Sequence, residues 1–123
     1  MERYNKNVGD FGEQTAANYL KRLGYKILEM NYSCRFGEID IVGLDKECLV
    51  FVEVKSRTNQ KYGVPQYAVN YWKKKHLWLS ARQYIDERRM KEYFARFDVV
   101  EVFIKSADNI FDVEKINLIK NAF

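Results

Sequence analysis

Hydrophobic positions fall into two periods along the chain, and the switches between them outline its elements. From about Val8 to Leu23 the apolar residues Phe11, Ala16, Tyr19, Leu20 and Leu23 recur near helical spacing, and Gly24 suits a helix stop. Tyr25 to Tyr32 reads as a strand through Ile27, Leu28 and Met30, and Ser33 to Gly37 reads as a polar turn. Glu38 to Leu44 and Cys48 to Lys55 read as two further strands, and Ser56 to Gly63 as a polar loop. A long helix is predicted after Pro65, reaching about Arg88, with a break near Asn70. Val69, Trp72, Leu77, Ala81, Tyr84 and Ile85 trace its apolar stripe, while Lys74, Trp78 and Arg82 lie on a different face. Phe97 to Ile104 is a fourth strand, and Ile116 to Ile119 a short fifth. The order helix, three strands, helix, strand, strand implies an α/β fold with a mixed sheet flanked by helices.

The hairpin over residues 37–57 carries the chemistry. A turn at Lys46-Glu47 sets Asp45 opposite Cys48, Leu44 opposite Leu49 and Val42 opposite Phe51. The same register brings Asp40 opposite Glu53 and Glu38 opposite Lys55; a three-residue loop would shift it. Opposed residues share a face. One face then holds Ile39, Ile41, Val50, Val52 and Val54. The other is apolar near the turn, through Val42, Leu44, Leu49 and Phe51, and becomes Glu38, Asp40, Glu53 and Lys55 at its open end. Ionised carboxylates with Cβ atoms roughly 4.5–5.5 Å apart repel, and partial burial sharpens the repulsion. Such a group can keep a proton, pair with Lys55, or bind a hard divalent cation. The alternative is a surface cross-strand pair of Glu38 with Lys55. The apolar run Leu-Val-Phe-Val before Glu53 argues for a central strand, where solvation is hard to obtain.

Charge is distributed unevenly. The chain has 123 residues and a formal net charge of +4. Residues 1–53 carry seven basic and nine acidic side chains, whereas residues 54–91 carry ten basic and two acidic ones. A concentrated basic segment suits either a polyanion partner or a solvated basic helix. The length corresponds to one domain, residues 1–123, and the 47% hydrophobic content supports a core. With two cysteines outside any CxxC pair and one histidine, His76, zinc is not expected. Cys34 and Cys48 read as ordinary reduced thiols. No apolar run reaches the roughly 18 residues of a bilayer span, and no signal core follows the N-terminus, so a soluble cytoplasmic protein without membrane attachment is expected. His76 reads as a helix-surface or partly packed side chain rather than a catalytic base, and Trp72 and Trp78 read as packing residues rather than base-stacking platforms.

Asp40, a twelve-residue gap, and Glu53-Val54-Lys55 resemble the D…(D/E)xK motif of restriction-endonuclease-like nucleases. Together with Gly12-Glu13, Gly37-Glu38-Ile39-Asp40-Ile41 and Phe51 to Arg57, they resemble the bacterial YraN family, related in pattern to archaeal Holliday-junction resolvases. The resemblance runs from about Gly9 to Phe123. It implies a restriction-endonuclease-like core and a Mg2+- or Mn2+-dependent endonuclease acting on nucleic acid, DNA above all, including branched or damaged DNA. Asp40 and Glu53 would bind the metal with the Val54 backbone carbonyl, and Glu13 would join them from the first helix. Lys55 would orient or activate the attacking water, while the cation offsets charge on the phosphate oxygens. Ile39 stands where the nominal motif has proline, and Glu38 adds a fourth acid, either a partner of Lys55 or Arg57 or a ligand. Taken alone, Glu13 could simply complement the helix dipole.

Arg57 and Lys61, in the predicted loop after the catalytic strand, and Lys73, Lys74 and Lys75, opening the second helix, are the expected nucleic-acid contacts. The three consecutive lysines point different ways around a helix, so at most two serve one surface; Lys73 is expected to face substrate. A homodimer would supply two sites for cutting two strands. The rival reading is a non-catalytic nucleic-acid-binding module, or an adaptor, on the same fold.

Overall fold

The computed structural model describes residues 2–58 and 71–123, with side chains from Lys6 onward. Two helices and five strands follow in the order α1 (Glu2–Arg22), β1 (Lys26–Cys34), β2 (Gly37–Asp45), β3 (Cys48–Thr58), α2 (Tyr71–Arg88), β4 (Phe94–Ala107) and β5 (Ile110–Ile119). The strands form one sheet in the order β1-β2-β3-β4-β5. All neighbours are antiparallel except β3 and β4, which run parallel and are connected through α2. A parallel pair needs such a crossover because the chain must return to the starting end of the sheet.

Each helix covers one sheet face. Val8, Ala16, Ala17 and Leu20 of α1 pack on Ile41, Val50, Val52, Val100, Val102 and Ile104. Leu77, Ala81 and Tyr84 of α2 pack on Tyr32, Ile39, Val42, Leu49, Phe51 and Phe97. Phe51, 1% exposed, meets Tyr84 edge-on at 5.8 Å and Phe97 at 5.7 Å. Full burial of a side chain of this size is worth about 1.5–3 kcal/mol. β3 and β4 have neighbours on both sides and a helix over each face, which explains their nearly unbroken apolar runs. This is the mixed α/β architecture of the restriction-endonuclease-like core.

The β2–β3 hairpin has the predicted register, from Asp45 opposite Cys48 to Ile41 opposite Val52. There the ladder stops, one pair short of Asp40 and Glu53. The face assigned to Ile39 is corrected by the structure: it packs beside Val42 under α2, whereas Ile41 faces α1. Its β1 partner Tyr32 makes the same switch, while Met30, opposite Ile41, stays on the α1 side. The break lies at Asn31, whose φ of 55° is left-handed. That conformation interrupts the two-residue alternation, and asparagine tolerates it better than most residues.

Other boundaries also moved. β3 runs through Ser56, Arg57 and Thr58, which the polar composition had assigned to a loop; parallel pairing with Val102, Phe103 and Ile104 keeps them extended. β4 and β5 are longer than predicted and pair with each other out to Ala107 and Ile110. In the α2 stripe, Leu77, Ala81 and Tyr84 are buried as expected, but Trp72 is 64% exposed. Val69 lies outside the described residues. Both cysteines are free.

Gly12 lets α1 approach β3. A Cβ at this position would stand 1.9 Å from Ser56 Oγ and 3.1 Å from Ser56 Cβ. Gly12→Ala should therefore lose about 1–3 kcal/mol to overpacking, offset by about 1 kcal/mol of helix propensity. The net loss should shrink or reverse in a Ser56→Ala background. Urea denaturation of both single variants and the double variant checks this; equal effects of Gly12→Ala in the two backgrounds would contradict the contact.

Candidate active site at the parting of two strands

Where β2 leaves β3, the Val54 amide has no backbone partner from β2. Asp40 Oδ2 accepts its hydrogen bond instead, at 2.8 Å. A strand amide points along the sheet toward its neighbour, so the Asp40 carboxylate sits in the seam between the strands. Charges from both faces of the sheet act on it there, Glu13 from the α1 side and Glu53 and Lys73 from the α2 side. Glu13 approaches from α1, where the Asn31 side chain favours its charged form. Glu53, on the α2 face, meets Lys73 Nζ at 2.9 Å and Lys55 Nζ at 3.9 Å.

The electrostatics follow from this crowding. Burial, then the charge of Asp40, push the Glu13 carboxyl up to about 7, against a smaller opposing effect of Asn31. Asp40 is raised by burial, and by Glu53 and Glu38, while the Val54 amide holds it down. Burial and the adjacent Lys73 lower Lys55, with Glu53 opposing. Burial works against the charge on Lys73, but its bonds to Glu53 and Lys55 prevail and raise it. Two acids pushed toward their neutral forms beside a lysine pushed toward its own mark a site where like charges are held together.

Glu13, Asp40, Glu53 and Lys55 are thus gathered from three elements around one seam. Glu38 is exposed and does not face Lys55 across a ladder; it borders a cavity of about 310 Å³ with Glu53, Lys73 and His76. Hard oxygen donors from Glu13, Asp40 and Glu53 suit a cation such as Mg2+ or Mn2+. Among the described residues, however, no three acidic, histidine or cysteine side chains stand close enough to hold one together.

The basic residues separate. Lys73 enters the site, whereas Lys74 lies over the Phe123 ring at 5.8 Å and Lys75 over Trp72 at 5.7 Å. Arg57 is not a loop residue: its Nε donates to Glu101 Oε2 at 3.2 Å, and Asn117 Nδ2 donates to Oε1 at 2.9 Å. Glu101 is fully buried, so Arg57 supplies the charge partner that a buried carboxylate needs. Lys61 lies outside the described residues. Sequence reasoning missed Asn31 and Glu101. An asparagine inside an apolar strand hinted at the first; nothing local marked the second, which reads as one acid in the run Asp-Val-Val-Glu-Val.

By fold, this is a restriction-endonuclease-like α/β protein with an acid–acid–lysine cluster where β2 parts from β3. Residues 12–102 match the profile described as "Uncharacterised protein family UPF0102", and the chain belongs to that family, the YraN family. It is 44% identical to UPF0102 proteins of Clostridium acetobutylicum, over all of this chain and 98% of that one, and of Caldanaerobacter subterraneus, over all of both. A UPF0102 protein of Syntrophus aciditrophicus is 49% identical over 97% of this chain and 90% of its own. No helix among the described residues is long and apolar enough to cross a membrane.

The raised Glu13 pKa sets the sign of a pH effect. The folded protein retains a proton that the unfolded chain releases, so Glu13 costs stability progressively as pH rises from 4.5 through about 7. With chelator present, Glu13→Gln should melt higher than wild type at about pH 8, and the difference should fade at about pH 4. Melting curves across that range check it; a gap that is constant with pH would contradict the assignment.

Proposed function

We propose that the protein is a metal-dependent nuclease that hydrolyses phosphodiester bonds of nucleic acid, with DNA the favoured substrate. The observation that carries the reading is the Asp40 carboxylate in the seam, bonded to the Val54 amide and flanked by Glu13, Glu53 and Lys55. Asp40 and Glu53, with Glu13 and the Val54 carbonyl, would hold Mg2+ or Mn2+, which would supply charge neutralisation at the phosphate oxygens. The Asp40 hydrogen bond fixes one carboxylate oxygen and so orients the group. Lys55 would position the attacking water and donate to a phosphate oxygen. Lys73, already turned into the site, would contact the phosphate on the α2 side once Glu53 engages the cation.

A second reading, a nucleic-acid-binding module without catalysis, is favoured by one feature. Lys73 neutralises Glu53 at 2.9 Å, which satisfies that acid without a metal ion. Calorimetry separates the two: the nuclease should bind Mn2+, and Asp40→Asn, which keeps an acceptor for the Val54 amide, should lose that binding.

In cleavage assays with Mg2+ or Mn2+, Asp40→Asn and Lys55→Ala should each reduce the rate at least about 100-fold. Their circular dichroism should match wild type. Single strands, duplexes, flaps and four-way junctions cover the substrate classes; metal-stimulated cleavage of none of them by wild type would refute the nuclease reading for those substrates.

A further inference from the structure

The outer face of α2 breaks the usual pattern of a surface helix. Its inner face is apolar, yet Tyr71, Trp72 and Trp78 on the outside are 68%, 64% and 64% exposed. Between Tyr71 and Arg82 the helix carries Lys73, Lys74, Lys75 and Arg82 and no acid. Cations at the start of a helix oppose its dipole. Large exposed aromatics beside such cations therefore call for an explanation other than stability.

Trp78 stands between two depressions. On one side, Tyr71, Lys74, Lys75 and Leu79 join it around a hollow of about 390 Å³. On the other, Arg82, Ile85, Phe97 and Phe123 help to line a groove of about 380 Å³. Among the described residues, no acidic side chain lines either one. Flat apolar surface interrupted by ammonium and guanidinium groups is the chemistry that takes a stacked base with its phosphate. A protein partner would need a matching acidic and apolar surface of its own; a nucleic-acid strand supplies both at every nucleotide.

We infer that this face of α2 is a stacking platform for unpaired nucleotides, with Trp78 between successive bases and Lys74, Lys75 and Arg82 on the backbone. The exposure of Trp72 and Trp78 itself overturns the expectation that they are packing residues. A duplex hides its base faces, so the platform selects single strands or unpaired segments. Lys73 leaves the same turn of α2 toward Glu53, so a strand seated here leads to the candidate active site. The inference rests on nucleic acid being the ligand and not on cleavage.

The two tryptophans are the only ones in the chain, so fluorescence excited selectively at tryptophan reports on α2, and the part lost in Trp78→Ala reports on this face. The test is titration in chelator, where cleavage plays no part, with oligo-dT and oligo-U of about fifteen nucleotides and a duplex with as many phosphates. Quenching by a single strand, with affinity at least about tenfold above the duplex, is expected; the tighter strand identifies the sugar. Trp78→Ala should weaken binding roughly 5- to 150-fold with an unchanged melting temperature. Lys74→Ala and Lys75→Ala should each reduce the salt dependence of binding. Equal affinity for duplex and single strand, or a Trp78→Ala variant that binds like wild type, would overturn the platform. So would self-association through Trp78 that oligonucleotide does not reverse. Loss of cleavage in Asp40→Asn with oligonucleotide binding intact would keep this surface separate from the active site.

Discussion

The hydrogen bond from the Val54 amide to Asp40 Oδ2 organises the rest of the site. β2 and β3 begin as an ordinary hairpin, and their ladder ends at Ile41 and Val52. Beyond that point an amide in the middle of a sheet would lose its partner, at a cost of about 1–3 kcal/mol. A side-chain carboxylate takes the place of the missing carbonyl, and the strands can part. The left-handed Asn31 and the change of face by Tyr32 and Ile39 accompany the parting on the β1 side. Asp40 thereby comes to lie in the plane of the sheet, within reach of groups on both faces.

That location accounts for the charges around it. α1 contributes Glu13, β3 contributes Glu53 and Lys55, and α2 contributes Lys73. Gly12 allows α1 close enough to β3 for its neighbour Glu13 to take part. β4 and β5 anchor the site from behind, through buried Glu101, which Arg57 and Asn117 bond. At the opposite end of the sheet Arg96 joins Asp45, Asp98 and Tyr25, and the Asn121 amide closes on Asp98. The two networks differ in kind: the second pairs its carboxylates with arginine and donors, whereas the first leaves carboxylates competing for too few cations. A charge imbalance that persists in one place and is relieved in the other distinguishes the candidate site from the scaffold network.

α2 serves both roles from its two sides. Tyr84 and Leu77 hold it on the sheet, Lys73 turns into the seam, and the aromatic face looks outward. This arrangement explains why the helix contrasts so weakly between its faces. The pattern that reads as an imperfect core stripe in sequence is an inner apolar stripe plus an exposed aromatic outer face.

The sequence by itself determined the element order, the hairpin register and the core of both central strands, because apolar period, turn residues and strand length are local properties. It also carried Glu13, Asp40, Glu53 and Lys55, since their spacing resembles a known motif. It could not show that Ile39 and Ile41 would face opposite ways, because the break depends on a backbone conformation at Asn31 in the neighbouring strand. Nor could it show that Arg57 is committed to Glu101, 44 residues away in the chain. The family pattern singled out Lys73 among three consecutive lysines, but that both tryptophans look outward was decided only by how α2 is rotated on the sheet. Those facts arise from contacts between distant segments, where the burial of one side chain sets the exposure of another.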